Sequence, residues 1–174
     1  MLQIITGSMF SGKTTELLRR LINYSISDYK VICLNHELDN RDDLLSIHNP
    51  LYNINNKLKI DFIKSKTIDL EKLEKYDVIG IDEAQFFSEL VEKVLYLLEK
   101  EKIIIVSGLI TDFSKKKFGN IIDLIHHCDT ITKLDAICEY CKKPAIFSKR
   151  LSENKEQIET GGKDKYIPVC RKHY

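Results

Sequence analysis

Residues 7–14 read GSMFSGKT, follow directly on the apolar run 2–5 and precede the helix-like sequence TTELLRRLINY. A GxxxxGKT sequence between a strand and a helix is the Walker A pattern, which binds nucleotide phosphates. Its glycines let backbone N–H groups face phosphate oxygens, while Lys13 neutralises phosphate charge and Thr14 can hold Mg²⁺. A glycine-rich turn that binds nothing is the alternative, and the strand-loop-helix context argues against it. The predicted phosphate-binding loop (P-loop) consists of Gly7, Ser8, Met9, Phe10, Ser11, Gly12, Lys13 and Thr14.

The composition narrows the class of protein. With 174 residues, the chain has room for one domain and a small appendage. Its net charge of +1 provides no basic field for nucleic acid or a membrane surface. No apolar run has the length of a membrane span and the N-terminus lacks a signal-peptide layout, so we expect a cytoplasmic protein. Five cysteines are an odd number, which in a reducing compartment favours metal ligation over a disulfide framework.

Runs rich in isoleucine and valine alternate with helical patterns over residues 1–135. This alternation is typical of buried parallel strands, so we expect an α/β domain with a P-loop NTPase-like parallel sheet flanked by helices. The nucleotide would sit at the carboxyl ends of the strands. The polar segment 40–57 is expected to be a long surface connection. We predict strands at 2–6, 30–34, 58–63, 78–82, 103–107 and 132–137, and helices at 14–24, 87–101 and 121–127.

A second motif, VIGIDE at residues 78–83, is an apolar run that ends in two acids, as a Walker B segment does. Buried strands rarely carry carboxylates, so acids at a strand end are expected to face a metal ion, water or substrate. Neighbouring residues of a strand point in opposite directions, which indicates different tasks for the two acids. We expect Asp82 near the metal ion and Glu83 as a base toward a hydroxyl nucleophile. Capping of the next helix is the alternative.

The C-terminal part, residues 136–174, carries two knuckle-like pairs of metal ligands. Cys138 and Cys141 form the first pair, and Cys170 and His173 form the second. Three thiolates and one imidazole complete a tetrahedral zinc site with no position open for water, which predicts a structural zinc ion in a small zinc-ribbon domain. Incidental burial of the cysteines is the alternative. Cys33 lies inside a predicted strand and is most simply a core residue.

Together these motifs resemble a known family, the thymidine kinases of the small, zinc-containing cellular and poxviral type. The resemblance covers nearly the whole chain and rests on TGSMFSGKTTELLRR, LDNRDD, IGIDEAQFF, GLITDF, KKFG, SKRL and GGKDKYIPVCRKHY. It implies phosphorylation of the 5′-hydroxyl of thymidine by Mg²⁺·ATP, in the salvage route to DNA precursors, with deoxyuridine open as a second substrate. It also implies a homotetramer that thymidine triphosphate inhibits. Residues 142–168 would form a lasso, tied at its base by zinc, that covers the nucleoside.

The resemblance also implies roles for individual residues. The catalytic residues would be Glu83 as the base, Lys13 and Arg41, with Arg41 stabilising charge on the transferred group. The resemblance also implies that Asp39 and Gln85 lie near the ATP phosphates, together with Asp82 and the P-loop. Backbone groups of Thr160, Gly161 and Gly162 would bind the thymine. The other implied substrate contacts are Met9, Phe86, Leu109, Phe113, Phe118, Ile158, Glu159 and Tyr166.

Three alternatives stay open at this point. A zinc-containing P-loop ATPase acting on nucleic acid would share the Walker motifs, although no basic stripe interleaved with aromatic residues supports it. A nucleotide-binding regulatory protein without catalysis is disfavoured because the expected phosphate, metal and base groups are all present. The phenylalanines could form ordinary core instead of a pocket wall, and the lysine run 115–117 could contact phosphates or be solvated.

Overall fold

The computed structural model describes residues 1–39 and 59–174. The described residues form one six-stranded parallel sheet with the order β3-β2-β4-β5-β1-β6, so that β5 lies between the P-loop strand β1 and the acidic strand β4. The strands are β1 (Leu2–Gly7), β2 (Val31–His36), β3 (Ile60–Ser65), β4 (Val78–Asp82), β5 (Ile103–Gly108) and β6 (Thr130–Leu134). The helices are α1 (Lys13–Ile26), α2 (Leu70–Leu73) and α3 (Leu90–Glu99), with 3₁₀ helices at Ala84–Phe86 and Ile121–His127.

Helices on both faces of the sheet explain why its inner strands are apolar throughout. Every residue of β2 is buried, and its side chains alternate between two separate apolar clusters. Val31 and Cys33 pack with α1 on one face, whereas Ile32 and Leu34 pack with α3 on the other. Cys33 is thus a core residue, and burial followed by the nearby Asp82 charge raises the pKa of its thiol.

The glycine of VIGIDE lets α1 lie close to the sheet. A Cβ on Gly80 would lie 2.7 Å from Leu21 Cδ1 and 3.2 Å from Leu17 Cδ1. Both leucines are fully buried, so their side chains have little room to move aside. Gly80 therefore sets the distance between α1, which follows the P-loop, and β4, which ends in the acids.

The predicted strands of the sheet are confirmed, with one error at its edge. Strands 2–6, 78–82 and 103–107 match β1, β4 and β5 to within one residue, whereas β2 and β3 begin and end one or two residues later than predicted. The single strand predicted at 132–137 is wrong. The chain leaves the large sheet after Leu134, and Ala136–Ile137 pairs antiparallel in a different sheet.

The helix predictions need two corrections. The helix predicted at 87–101 begins only at Leu90, because Phe87 ends the 3₁₀ helix and packs its ring into the core. The segment Ile121–His127 is helical as predicted, but it is a 3₁₀ helix. The predicted surface connection 40–57 lies outside the described residues. Among the helices that are described, none combines the length and the apolar character needed to cross a membrane.

The C-terminal residues build two small antiparallel sheets. One pairs β7 (Ala136–Ile137) with β8 (Pro144–Ala145), and the other pairs β9 (Phe147–Arg150) with β10 (Tyr166–Val169). Their buried apolar cluster contains only Ala136, Cys138, Ala145 and Val169. The division into 1–135 and 136–174 stays a prediction, and we refer to residues 136–174 as the C-terminal unit.

Substituting Gly80→Ala should destabilise the protein. The added methyl group would press into Leu17 and Leu21, and overpacking of a filled core lowers the free energy of unfolding by about 1–3 kcal/mol. Urea denaturation measures this change. Gly162→Ala is the matched control, because the nearest atom to its added Cβ is Asp164 Oδ1 at 3.6 Å, an ordinary contact. Equal stability of the two variants would contradict the packing argument.

A group of charged residues fixes α1 to the edge of the sheet. The Glu16 carboxylate accepts hydrogen bonds from Arg19 Nε (2.7 Å) and Arg20 Nε (2.7 Å). Arg20 also donates to Gln3 of β1 and to Thr132 of β6, each at 2.8 Å. The hydrogen bond from Arg19 is the main reason that the pKa of Glu16 falls to about 2, with partial burial opposing it and Arg20 adding to it.

The lowered pKa predicts a pH-dependent contribution to stability. The unfolded chain binds the proton more tightly, so the stabilisation by Glu16 is complete above pH 4.5 and is lost as the pH falls toward 2. The difference in unfolding free energy between the wild type and Glu16→Gln should therefore shrink over this range. Urea denaturation at several pH values measures it, with the exposed Glu92→Gln as control. A difference independent of pH would contradict the role of Glu16.

Candidate active site

The P-loop wraps the space at the carboxyl end of β1. Gly12 adopts a left-handed conformation (φ 83°) that lets the chain turn directly into α1. Residues with a side chain adopt this conformation less readily than glycine does. Lys13 is buried, and its Nζ donates to Ser8 O at 3.0 Å across the loop. Ser11 Oγ is buried with no hydrogen-bond partner among the described residues. These features form a cradle for an anion at a helix N-terminus.

The P-loop threonine meets the acid of the second motif. Thr14 Oγ1 donates to Asp82 Oδ2 at 2.8 Å, although β5 lies between β1, which leads into the P-loop, and β4, which carries Asp82. Hydroxyl and carboxylate oxygens are the hard ligands that Mg²⁺ prefers, so Thr14 and Asp82 fit a magnesium ion bound with a nucleotide. Three other buried polar atoms at the carboxyl ends of strands lack partners among the described residues, namely Thr6 Oγ1, Asn35 Oδ1 and Ser107 Oγ.

Glu83 is held in an unusual backbone conformation directly after β4. Its φ of 49° and ψ of 39° lie in the left-handed region, which directs the chain into the following 3₁₀ helix. Its carboxylate accepts a hydrogen bond from Gln85 Nε2 at 2.6 Å, and Gln85 Oε1 accepts one from Leu109 N at 2.9 Å. Both side chains are buried. Gln85 therefore connects the carboxylate of Glu83 to the chain that leaves β5.

A cavity of about 640 Å³ opens next to these groups. Gly12, Lys13 and Thr14 lie at one end, and Glu83 lies on its wall. The apolar side includes Phe86 and Phe118, whose rings meet edge to face with 5.6 Å between centroids. Such a wall suits the flat face of an aromatic base.

The chain after β5 forms another wall and contacts the lasso. Asp112 is buried and accepts hydrogen bonds from Ser114 N (2.8 Å), Lys116 N (2.9 Å) and Gln157 Nε2 (2.8 Å). Burial alone would raise the pKa of Asp112, but the hydrogen bonds, led by that from Gln157, lower it below its usual value. Gln157 also donates to Lys117 O at 3.0 Å, so one lasso side chain holds both ends of this loop.

The C-terminal unit is attached directly to the P-loop. Ser8 Oγ donates to Ala145 O, and Met9 N donates to Ser148 Oγ, each at 2.9 Å. Residues 157–163 of the lasso also line the cavity. The phosphate cradle and the cover of the cavity therefore share one anchoring loop.

The four predicted metal ligands come together. Their ligand atoms lie within 4.8 Å of one another, with Cys141 Sγ 3.7 Å from Cys170 Sγ and His173 Nδ1 3.3 Å from Cys170 Sγ. Two thiolates at about 2.3 Å from a tetrahedral zinc ion would be about 3.8 Å apart, so the spacing fits zinc. Among the described residues this is the one group of at least three such side chains so arranged. His126 and His127 are exposed and outside it.

The surroundings of Cys138 favour a thiolate. Burial opposes ionisation, but hydrogen bonds from the backbone N–H groups of Cys141, Cys170 and Tyr140, and then from the His173 side chain, lower the pKa of the Cys138 thiol to about 6. A thiolate is the form that binds metal ions. The cluster could therefore hold a zinc ion, with His173 using Nδ1.

Known proteins match the chain from end to end. The sequence profile of the family described as thymidine kinase matches residues 1–174. The chain belongs to the thymidine kinase family. It is 42% identical to the thymidine kinase of Choristoneura fumiferana entomopoxvirus over 98% of this chain and 94% of that protein. The identity is 41% with the thymidine kinase of fowlpox virus (98% and 94%) and 42% with that of vaccinia virus strain Western Reserve (99% and 96%).

Solved structures of other families share the fold. The flagellar accessory protein FlaH from Methanocaldococcus jannaschii has a TM-score of 0.52 at 15% identity, over 89% of this thymidine kinase and 74% of FlaH. A DnaB-like replicative helicase also has a TM-score of 0.52, at 13% identity over 96% of this chain and 53% of the helicase. At such identities the likeness concerns the fold alone, and it agrees with the P-loop NTPase-like sheet.

Most of the predicted site residues line this cavity. Four of them, Gly7, Ser8, Ser11 and Asp82, are not on its wall, and Arg41 lies outside the described residues. None of the lysines 115–117 is on its wall. The predicted residues on the wall are Met9, Phe10, Gly12, Lys13, Thr14, Asp39, Glu83, Gln85, Phe86, Leu109, Phe113, Phe118, Ile158, Glu159, Thr160, Gly161, Gly162 and Tyr166.

The sequence-based prediction missed several wall residues. Thr111, Asp112 and Ser148 lie within the strings GLITDF and SKRL that carry the family resemblance, so a signal was present. Lys163 also lies within such a string, GGKDKYIPVCRKHY, whereas Gln157 occurs in a polar segment without periodicity and had no such signal. The remaining residues missed are Thr15 and Leu38.

We predict one zinc ion per chain, measured by elemental analysis of purified protein. Cys138→Ser should lose most of the metal, because a hydroxyl is a much poorer zinc ligand than a thiolate. Cys128→Ser is the matched control, since Cys128 is outside the cluster and its Sγ donates a hydrogen bond to Ile125 O, which a serine hydroxyl can also do. Retention of zinc by Cys138→Ser would contradict the assignment.

Proposed function

We propose that the chain transfers the γ-phosphoryl group of ATP to the 5′-hydroxyl of thymidine. Membership of the thymidine kinase family supports the acceptor, and the P-loop supports ATP as the donor. The observation that carries the proposal is the cavity, which the P-loop, Glu83 and the lasso line together. A donor and an acceptor bound there would lie next to each other.

The phosphate end of the cavity is suited to charge neutralisation. Lys13 and the backbone N–H groups of the P-loop would bind the β- and γ-phosphates. Thr14 and Asp82 would hold Mg²⁺, which when bound supplies positive charge between the phosphates. Asp39 lines the cavity near this end, and Arg41, two residues on, is proposed to stabilise charge on the transferred group.

Glu83 is the proposed base. Its carboxylate would accept the proton of the 5′-hydroxyl as that oxygen attacks phosphorus. The hydrogen bond from Gln85 Nε2 orients the carboxylate, and the left-handed backbone of Glu83 keeps it at the cavity wall. Asp82, one residue earlier, contacts Thr14 and is therefore assigned to the metal.

The other end of the cavity is suited to a pyrimidine. Phe86, Phe118 and Leu109 offer an apolar wall for the base. Backbone groups of residues 160–162 in the lasso face the same cavity and would pair with the polar edge of thymine. Deoxyuridine differs by one methyl group, which is worth about 10- to 200-fold in discrimination at most, so we propose it as a weaker substrate.

Further features are proposed on family resemblance alone. They are assembly into a homotetramer, inhibition by thymidine triphosphate, cytoplasmic location and a task in nucleotide salvage. An ATPase acting on nucleic acid is the competing function. It is not favoured, because the net charge is only +1 and residues 157–163, the part of the lasso that lines the cavity, carry one acid and one base.

ADP release from Mg²⁺·ATP tests the function when measured with thymidine, deoxyuridine, cytidine, single-stranded DNA and no acceptor. We expect turnover that depends on thymidine and falls by about 10²- to 10⁴-fold in Glu83→Gln, because the variant lacks the base. Glu92→Gln, an exposed site on α3, is the matched control and should act as wild type. Turnover driven by DNA, or none with thymidine in zinc-loaded protein, would overturn the proposal.

A further inference from the structure

The lasso segment between β9 and β10, residues 151–165, is held in place without an apolar core. It contains no buried hydrophobic residue, and its Ile158 is 47% exposed. Even so, residues 157–163 of this segment line the cavity. A chain of 15 residues loses much conformational freedom when it is ordered, so polar contacts must supply the stabilisation.

Arg150, the last residue of β9, makes several of these contacts. Its side chain is only 2% exposed, and all five of its N–H donors are used. Two bonds go to the hydroxyl of Tyr166 (3.1 and 2.6 Å). The other three go to backbone carbonyl oxygens of the segment, at Asn154 (2.9 Å), Glu156 (2.5 Å) and Gln157 (3.1 Å).

Surrounding groups complete the charge and packing of this arginine. Glu159 Oε2 lies 3.4 Å from Arg150 Nε, and Glu159 O accepts a hydrogen bond from the Tyr166 hydroxyl at 2.9 Å. On one face, the guanidinium carbon lies 3.7 Å from the centroid of the Phe113 ring. Phe113 follows β5 and also lines the cavity, so Arg150 connects the lasso to the chain that leaves β5.

We propose that Arg150 is a positioning residue that sets the shape of segment 151–165 over the nucleoside. The proposal rests on the proposed function, because it assigns the segment to the thymidine end of the cavity. Arg150 itself is not a lining residue and acts through the carbonyl groups, Tyr166 and Glu159. The Glu159 carboxylate, which also bonds Ser152 and Lys165, thereby serves the shape of the lasso.

The chemistry of the side chain makes the assignment specific. A guanidinium group presents five donors in a rigid plane, whereas a lysine ammonium has three and no planar fork. Arg150→Lys keeps the charge but cannot satisfy three carbonyls and a hydroxyl at these positions. The carbonyl groups left without a donor would form hydrogen bonds to water instead, and segment 151–165 would become less ordered. The phosphate end, fixed by Ser8 and Met9, is independent of these bonds.

The experiment compares wild type, Arg150→Lys, Arg150→Met and Arg171→Lys, all loaded with zinc. We expect both Arg150 variants to raise the KM for thymidine by about 10- to 100-fold and to leave the KM for ATP within about twofold. A glutamate-specific protease should cleave after Glu153 and Glu156 at least about tenfold faster in both. Arg171 is exposed in the same unit, and Arg171→Lys should match wild type in both measurements.

Three outcomes would overturn the proposal. They are unchanged thymidine KM and cleavage rate in both Arg150 variants, a fall in kcat alone, and loss of zinc from both variants. The last would mean that Arg150 supports the whole C-terminal unit and not the segment. The cleavage rates do not depend on activity. If the wild type failed to phosphorylate thymidine, the proposed function would fail while accelerated cleavage would still support the positioning of the segment by Arg150.

Discussion

The P-loop of this protein is hydrogen-bonded to the C-terminal unit, and the geometry of the cavity depends on that junction. The hydrogen bonds from Ser8 to Ala145 and from Met9 to Ser148 hold the C-terminal unit against the end of the parallel sheet. Without them the C-terminal unit could move away and would not cover the cavity. In the proposed function, the same eight-residue P-loop positions both the phosphate site and the part of the cavity that binds the base. Phosphoryl transfer depends mainly on the relative positions of donor and acceptor, so a shared anchoring loop is an advantage.

Different forces stabilise the two parts. The sheet has a large apolar cluster on each face, to which strands β1 to β5 contribute alternate residues. The C-terminal unit has a four-residue cluster, too small to fold a segment of this size on hydrophobic burial alone. A metal ion bound by the Cys138 cluster would supply what the core lacks, as in other small metal-binding domains. The lasso beyond it depends on hydrogen bonds, with Arg150 at their centre.

Sequence patterns predicted what local chemistry determines. The P-loop, the acids after β4 and the four metal ligands are spaced by rules that operate within a few residues, and the structure brings each group together. The error at 132–137 arose because apolar residues lie on both sides of Asp135 and suggest one continuous strand. The chain changes its pairing partner at this point, and no local sequence pattern indicates that change. The contacts of Gln157 were missed because they reach across the fold to the loop after β5. Those of Arg150 were missed because they go mostly to backbone carbonyl groups of a polar segment without periodicity. The assignment of Arg41 stays a prediction.

At Glu83, the proposed role of the side chain conflicts with the stability of the fold. A residue with a side chain in the left-handed region carries a conformational penalty of about 1–3 kcal/mol that glycine does not. The fold accepts this penalty at the position that holds the carboxylate. In the proposed function, glycine at position 83 would therefore give a more stable protein that lacks its base. The backbone of Glu83 thus marks a position where turnover is favoured at the expense of folding stability, if the carboxylate acts as proposed.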